Sequence, residues 1–267
     1  MSRPLGVKEV INPLPATGGA DKENINQARR HAPLAVKALD RLVSVKDYED
    51  FSRMFGGIGK ASAVELSDGL RRIVHITIAG EEDIPIDKNS DLYQNLYKAL
   101  LISGDPFQPI QVDVRELMLI VISAGIKIHD DYLWEVVVTQ VRNALLQKFS
   151  FEARELGQDV LLGEVIATIQ SIPGVVYVDV DLLRGIPEKK IAANGERTLT
   201  TLDDISDIVL NTSTSGKDAA TLSNSQLTDP QEKICVNLAG NNKGIYPAQL
   251  AFLTPSVTSS LILNQIF

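Results

Sequence analysis

Two carboxylates that lie two residues apart are the most suggestive chemical feature of this 267-residue sequence. Asp179 and Asp181 alternate with Val178 and Val180, so on a β-strand both carboxylates point to one face. Such a pair could hold a divalent cation or divide the roles of general acid and general base. The two valines point to the opposite face, which is then the face toward the core. The face away from a core ordinarily carries solvated charge. Solvated surface charge is therefore the favoured interpretation.

A short glycine motif, Gly57-Ile58-Gly59-Lys60, has some likeness to a phosphate-binding loop. The P-loop requires a glycine five residues before its Gly-Lys pair and a hydroxyl residue directly after it. This sequence has Met54 at the first position and Ala61 at the second. The motif therefore predicts a glycine stop at the end of a helix, followed by a strand.

Metal ligands and nucleophiles are sparse. The three histidines, His31, His75 and His129, have dissimilar surroundings and none lies at ligand spacing from the single cysteine, Cys235. Zinc sites use paired short spacings of four ligands, and a hydrolase serine needs a Gly-x-Ser-x-Gly turn; neither pattern occurs. The sequence thus predicts no catalytic residue, no metal site and no cofactor, and we expect a non-enzymatic protein.

The charge balance restricts the partners further. The sequence has 26 Lys and Arg against 34 Asp and Glu, a formal net charge of −8. Nucleic-acid binders ordinarily carry a basic surface, so no nucleic-acid partner is expected. The longest apolar run, 117–122, is far shorter than the roughly 20 residues that cross a bilayer. With one cysteine and no apolar leader at its start, the chain is expected to be cytoplasmic at synthesis, without membrane insertion.

Short helices and strands that could position these residues interleave along the chain. A helix is predicted over 23–43, split at Pro33, and a second begins after Ser44, which can cap it together with Asp47. Further elements are a hairpin, three helices and three strands, read from apolar spacings of four and two, at 61–79, 91–102, 110–114, 117–128, 130–148, 161–172 and 176–182. This order predicts an α+β fold of two small two-layer domains in tandem.

The predicted organisation has five parts. An extended N-terminal segment (1–28) precedes a first α+β domain (29–116) and a second (117–186). Residues 187–243 form a polar insertion that we expect to be flexible, because eight of the seventeen residues 212–228 are Ser or Thr. Residues 244–267 turn apolar again and predict an extended C-terminal docking arm.

The arm supplies the candidate interface residues. We expect its apolar side chains to bury themselves on a neighbouring subunit, so that removing 244–267 would leave both domains folded. The candidates are Pro247, Leu250, Phe252, Leu261, Ile262 and Leu263.

Three stretches of the sequence together resemble one family. The first is Asn-Pro-Leu-Pro-Ala-Thr-Gly-Gly-Ala-Asp at 12–21 with Ala-Arg-Arg-His-Ala-Pro-Leu at 28–34, continued by Asp40-Arg41 and Lys-Asp-Tyr-Glu at 46–49. The second comprises 149–151, 157–160 and Ile-Pro-Gly-Val-Val-Tyr-Val at 172–178, and the third comprises 247–253 and 261–264. In their order and spacing they resemble the baseplate J-like proteins of contractile phage tails and related contractile injection systems.

The resemblance implies a structural subunit of a baseplate wedge, part of an assembled tail or tail-like particle. Its implied partners are other copies of itself, companion wedge subunits, and spike, hub and sheath-proximal baseplate proteins. It also implies a place in the ring around the spike hub and a part in coupling baseplate rearrangement to sheath contraction. Longer members carry a large portion ahead of the stretch at 12–21, and 186–243 match poorly.

Two other functions stay open from the residues themselves. Tandem small α+β domains often bind ligands between them, so a metabolite-binding regulatory module is the main alternative. An enzyme centred on Asp179 and Asp181 is the second.

Overall fold

The structure is a computed structural model that describes residues 42–67, 69–191, 197–200, 230–241, 244–255, 257 and 260–267, with Ile25, Ala28 and Arg29. Helices alternate with strands, so the predicted α+β class is confirmed. The helices are α1 (Val45–Met54), α2 (Asp91–Ser103), α3 (Trp134–Lys148) and α4 (Leu162–Gln170). The strands are β1 (Ile58–Ser67), β2 (Arg72–Gly80), β3 (Ile110–Val114), β4 (Glu116–Ile128), β5 (Val160–Leu161), β6 (Val175–Pro187), β7 (Lys189–Ile191), β8 (Arg197–Leu199), β9 (Lys233–Ile234), β10 (Gly240–Asn241), β11 (Ile245–Tyr246), β12 (Gln249–Phe252) and β13 (Leu261–Gln265).

Several predictions concern residues outside the described part. These are the extended segment 1–28 apart from Ile25 and Ala28, most of the helix 23–43, and the polar stretch 212–228. Within that predicted helix the structure describes Ile25, Ala28 and Arg29, where the backbone is helical, and Leu42 and Val43, where it is not.

A three-stranded sheet forms the first unit. Its order is β1-β2-β3, with β1 antiparallel and β3 parallel to the central strand β2. β2 and β3 are parallel because the chain crosses from one to the other through α2, which is how parallel neighbours must be joined. Helices α1 and α2 contribute buried side chains to one core with this sheet, among them Tyr48, Leu96 and Leu100.

Local sequence signals set the ends of α1. The Ser44 hydroxyl accepts a hydrogen bond from the Asp47 amide (3.2 Å), and the Asp47 carboxylate accepts one from the Ser44 amide (2.7 Å). These backbone hydrogen bonds, from Ser44 first and then Val43, lower the pKa of the Asp47 carboxyl. Gly57, with φ +87°, lies directly before β1, so the predicted glycine stop before a strand is confirmed.

A second sheet is built around the long strand β4. β6 runs antiparallel along one edge of β4 from Met118 to Ile128. β12 and β13 share the other edge in parallel, β12 beside 116–119 and β13 beside 122–126. Helices α3 and α4 share one core with this sheet, and β4 is a near-continuous apolar run because it is covered on both edges and on both faces.

The C-terminal segment therefore docks on its own chain. Leu250, Phe252 and Leu261 are buried there, while Ile262 is half-buried. The physical reason is that β6 satisfies only one edge of β4, and the other edge would leave backbone groups unpaired. The expectation that 244–267 could be removed without loss of folded structure is thus at odds with its two strands in this sheet.

Parts of the polar segment 187–243 also form paired strands and contribute buried residues. β7 pairs with β8, and β9 pairs with β5. Ile234 and Val236 are buried in the core under the second sheet. Ile234 and Val236 follow the undescribed residues 201–229 and belong to the core of the second unit.

The two units share a buried boundary. Ala79 on β2 packs in one cluster with Phe151 and Leu156, which follow α3, and with Leu250 and Phe252 on β12. The Ala248 amide donates to the buried Thr77 hydroxyl oxygen at 3.0 Å, so a polar bond also crosses this boundary. In the described part of the chain, no helix is both long and apolar enough to cross a membrane.

Candidate interaction surface

The carboxylate pair lies on the surface. Asp179 and Asp181 are exposed on β6, and one Asp181 oxygen lies 3.5 Å from the Ser123 hydroxyl. Among the described residues, no group of three or more His, Cys, Asp or Glu side chains could hold a metal ion. The exposure of both carboxylates agrees with solvated surface charge.

Lys60, the last residue of the glycine motif, is buried between the units. Its ammonium lies 3.4 Å from the Glu152 carbonyl oxygen, 3.9 Å from a Glu155 carboxylate oxygen and 5.1 Å from the centre of the Phe151 ring. Arg53 reaches the same Glu155 carboxylate at 3.2 Å. Both cations thus hold β1 and α1 to the segment after α3, and neither is presented to a phosphate.

The two described histidines and the cysteine do not come together. His129 is exposed beside Asp131 (3.2 Å), and Cys235 is exposed. His75 is fully buried on β2, and its Nε2 lies 3.0 Å from an Asp113 oxygen on β3. His31 lies outside the described residues.

Asp113 is the centre of a polar cluster at the edge of the first sheet. Besides His75, its carboxylate accepts hydrogen bonds from the Lys88 ammonium and, at 2.8 Å, from the Gln111 amide. Burial alone would raise the pKa of the Asp113 carboxyl, but the hydrogen bonds from His75, Lys88 and Gln111 outweigh burial and hold it well below its usual range. Asp113 therefore stays charged throughout the physiological pH range.

A groove of about 360 Å³ runs along β3 beside this cluster. One wall is β3 itself over 110–113, and the other is formed by Lys88 with Tyr93, Gln94 and Tyr97 of α2. The Tyr93 hydroxyl donates to the Val112 carbonyl oxygen at 2.7 Å. The groove thus lies between aromatic side chains of α2 and the last strand of the first sheet, whose edge at the buried Val112 is already covered by Tyr93.

The sequence-predicted interface residues divide into two groups. Leu250, Phe252 and Leu261 are covered by their own chain, whereas Pro247, Ile262 and Leu263 are half-buried. A role in subunit contact stays a prediction for all six. In this conformation the second group has surface left to offer a neighbour.

Sequence reasoning missed four strongly exposed apolar side chains on the first unit. Leu70 is 96% exposed at the tip of the β1–β2 hairpin, and Phe107 is 92% exposed in the turn before β3. Ile102 (84%) and Val43 (79%) lie near one another, because the Leu42 amide donates to the Ser103 carbonyl oxygen at the end of α2. For Leu70 and Phe107 the signal available in the sequence was an apolar residue in or beside a predicted turn, where no core requires it.

These residues lie at the same end of the first sheet. The Val74 amide donates to the Pro109 carbonyl oxygen at 3.0 Å, which brings the turn that holds Phe107 beside the hairpin end of β2. We call Val43, Leu70, Ile102 and Phe107 the apolar end of the first unit.

Comparison with known proteins gives a family match over this unit. Residues 40–113 match the family model described as the Baseplate J-like central domain. The match covers α1 to β3 and includes Asp40-Arg41 and 46–49, which carried part of the resemblance. The resemblance to baseplate J-like proteins, predicted from the sequence, is confirmed over these residues.

Among solved structures, the chain is similar to a component of the baseplate of the anti-feeding prophage, determined by cryo-electron microscopy with six-fold symmetrisation. The identity is 15% and the TM-score 0.46, over 64% of this chain and 40% of the other. This chain thus corresponds to less than half the length of that relative. No curated protein matches the sequence significantly.

Proposed function

We propose that this chain is a non-enzymatic structural subunit of the baseplate wedge of a contractile phage tail or tail-like injection system. The observation that carries the proposal is the match of residues 40–113 to the Baseplate J-like central domain. The finer role follows the family: a place in the ring around the spike hub, contacts with other copies and companion wedge subunits, and a part in coupling baseplate rearrangement to sheath contraction.

The apolar end of the first unit supports a role in assembly. Leu70, Phe107, Ile102 and Val43 are each at least 79% exposed, and they come from separate loops or helix ends. Covering one such side chain on a partner contributes on the order of 1–3 kcal/mol. In a ring with several copies, many modest contacts reinforce one another.

The first experiment is co-sedimentation. The tagged chain is expressed in its native host, high-mass material is pelleted, and the pellet is examined by negative-stain microscopy and mass spectrometry. We expect the chain to sediment with sheathed tubes, tube protein and spike protein. Recovery only as a small soluble species would contradict the baseplate role and would bring the metabolite-binding alternative forward, to be tested by thermal shift with amino acids and nucleotides.

A pair of variants makes the test specific to the surface. Leu70→Ser with Phe107→Ser removes apolar area from the end of the first unit, and Leu133→Ser removes a comparable side chain, 71% exposed, from the second unit. All three positions are exposed, so each variant should keep its melting temperature. We expect loss of co-sedimentation for the double variant and retention for Leu133→Ser.

A further inference from the structure

One face of the second sheet is only partly covered. Val178 and Val180 of β6 pack into the core shared with α3 and α4, so the side chains that alternate with them lie on the outer face. On that outer face a small buried cluster reaches as far as Val121 of β4 and Leu182 of β6. Beyond these two residues the outer face carries half-buried and exposed side chains from β4, β6 and β13.

The strand register places these side chains together. Lys127 of β4 pairs with Tyr177 of β6, and the Ser123 hydroxyl of β4 lies 3.5 Å from an Asp181 oxygen of β6. On the other side of β4, Ile262 of β13 pairs with Ser123. Residues paired in this way share one face of a sheet. We call this surface the open face of the second sheet, and its members are Lys127, Tyr177, Asp179, Asp181, Ile262 and Ile266.

The open face combines apolar area with negative charge. A Cβ at Gly125 would lie only 2.7 Å from Ile266 Cδ1, so the half-buried Ile266 side chain lies over this glycine. Tyr177 is 46% exposed, and the carboxylates of Asp179 and Asp181 are exposed on the same face. Such a surface is complementary to a partner that is both apolar and basic.

The tip of the β1–β2 hairpin has this chemistry. Leu70 is 96% exposed, and the exposed Arg71 and Arg72 follow it directly; we call these three residues the hairpin tip. Arg72 contacts Glu65 at 3.1 Å, yet its side chain stays 81% exposed. Phe107, 92% exposed, lies at the same end of the first sheet and enlarges the apolar area.

We infer that the hairpin tip of one copy of this chain docks on the open face of the second sheet of a second copy. Leu70 then covers apolar area at Tyr177, and the two arginines approach the aspartates of β6. The remaining charges match in the same sense, because Asp105 lies beside Phe107 whereas Lys127 lies beside Tyr177.

The contact joins two different surfaces. Both are exposed in one chain, so neither covers the other within it, and either surface against itself would bring like charges together. A contact between different patches is heterologous, the type that closes into a ring or continues as a filament. The inference deepens the proposed function and rests on it for the presence of several copies in one particle.

The test is a charge exchange, read as the mass of the purified full chain by light scattering and sedimentation over a range of concentrations. One variant carries Arg71→Glu with Arg72→Glu, and the other carries Asp179→Arg with Asp181→Arg. We expect the native chain to associate, and each variant to associate roughly tenfold more weakly or worse, because attraction becomes repulsion. The two variants probe the contact from opposite sides, so the test survives if one of them fails to fold.

Restoration separates this contact from a general loss of structure. An equimolar mixture of the two variants, or one chain with all four substitutions, sets opposite charges together again and should regain association. Asp130→Arg with Asp131→Arg is the matched control, since it reverses two neighbouring exposed aspartates outside the open face and should leave association unchanged. A native chain that is monomeric at every soluble concentration, or a loss that neither the mixture nor the fourfold variant restores, overturns the inference.

The two proposals fail separately. Co-sedimentation with sheathed tubes that neither charge reversal reduces overturns only the docking. Charge-dependent association by a chain that never enters a particle overturns the baseplate role.

Discussion

Asp113 shows how one half-buried charge can organise the edge of a sheet. His75 from β2, Gln111 from β3 and Lys88 from the approach to α2 all direct a polar atom at its carboxylate. Because these groups come from three places in the sequence, the charge ties the strand edge to the crossover that precedes it. Hydrogen bonds to charged groups are typically stronger than those between neutral groups.

The lowered pKa of Asp113 predicts a pH dependence of stability. In the unfolded chain an aspartate titrates near pH 4, whereas the folded carboxyl titrates at lower pH, so the unfolded state binds more protons as pH falls below about 4. The stabilisation that the charged Asp113 provides is therefore complete at neutral pH and declines as the pH falls below about 4. Asp113→Asn should therefore lower the free energy of unfolding by about 1–3 kcal/mol at pH 7. In the variant, the free energy of unfolding should also fall less steeply as the pH is lowered.

The measurement is the melting temperature of the native protein and of Asp113→Asn between pH 3 and pH 7. Asp179→Asn is the control, since Asp179 is exposed on β6 and its removal should leave the curve unchanged. Parallel curves for Asp113→Asn and the native chain would contradict the proposed strength of the cluster.

At the scale of elements, β4 is the strand on which the second sheet depends. It pairs with β6 on one edge and with β12 and β13 on the other, and the last two come more than 120 residues later in the chain. An apolar strand with one empty edge would expose unpaired backbone groups and invite aggregation. The C-terminal strands are thus part of the fold of the second unit.

Leu261, the first residue of β13, tests this dependence. It is buried against β4 and the adjacent core, so Leu261→Ala should lower the free energy of unfolding by about 2–5 kcal/mol. Phe267→Ala, six residues later and 94% exposed, should change it by no more than about 0.5 kcal/mol. Equal effects of the two substitutions in urea denaturation would show that β13 is not docked on β4.

At the scale of the whole molecule, the boundary between the two units determines whether they act as one body. Phe151 packs edge-to-face on Phe252, with ring centres 5.7 Å apart, and it lies under the Lys60 ammonium. This cluster joins residues from β1, the segment after α3, and β12. The two units are therefore joined by a packed boundary.

Phe151→Ala should weaken that coupling. We expect a loss of about 3–5 kcal/mol in the free energy of unfolding, because a large buried ring is replaced by a cavity, and a broadened or divided calorimetric transition. Phe107→Ala removes an equally large ring that is 92% exposed, and it should leave the transition as it is. A single sharp transition for Phe151→Ala, shifted no more than that of Phe107→Ala, would mean that the units are joined elsewhere.

Local features of this protein were determined by the sequence alone. The Ser44–Asp47 cap, the glycine stop at Gly57 and the apolar spacing of the elements from α1 onward act over a few residues, and each of these features lies where the sequence predicted it to within a few residues. The main differences are that α3 begins at Trp134 instead of Asp130 and that β6 continues to Pro187. The family resemblance was likewise readable from short motifs, and part of it lies within the matched residues 40–113.

Only the tertiary structure decided which apolar surfaces the chain covers itself and which stay exposed. The apolar pattern of 250–252 and 261–263 shows that these residues must be covered, but it does not show by what, and the acceptor was β4 of the same chain. The position of β3 at the end of the first sheet and the exposure of Phe107 likewise emerged only from the tertiary structure. Periodicity is a property of neighbouring residues, whereas strand pairing joins distant ones, so burial could be predicted and the burying partner could not.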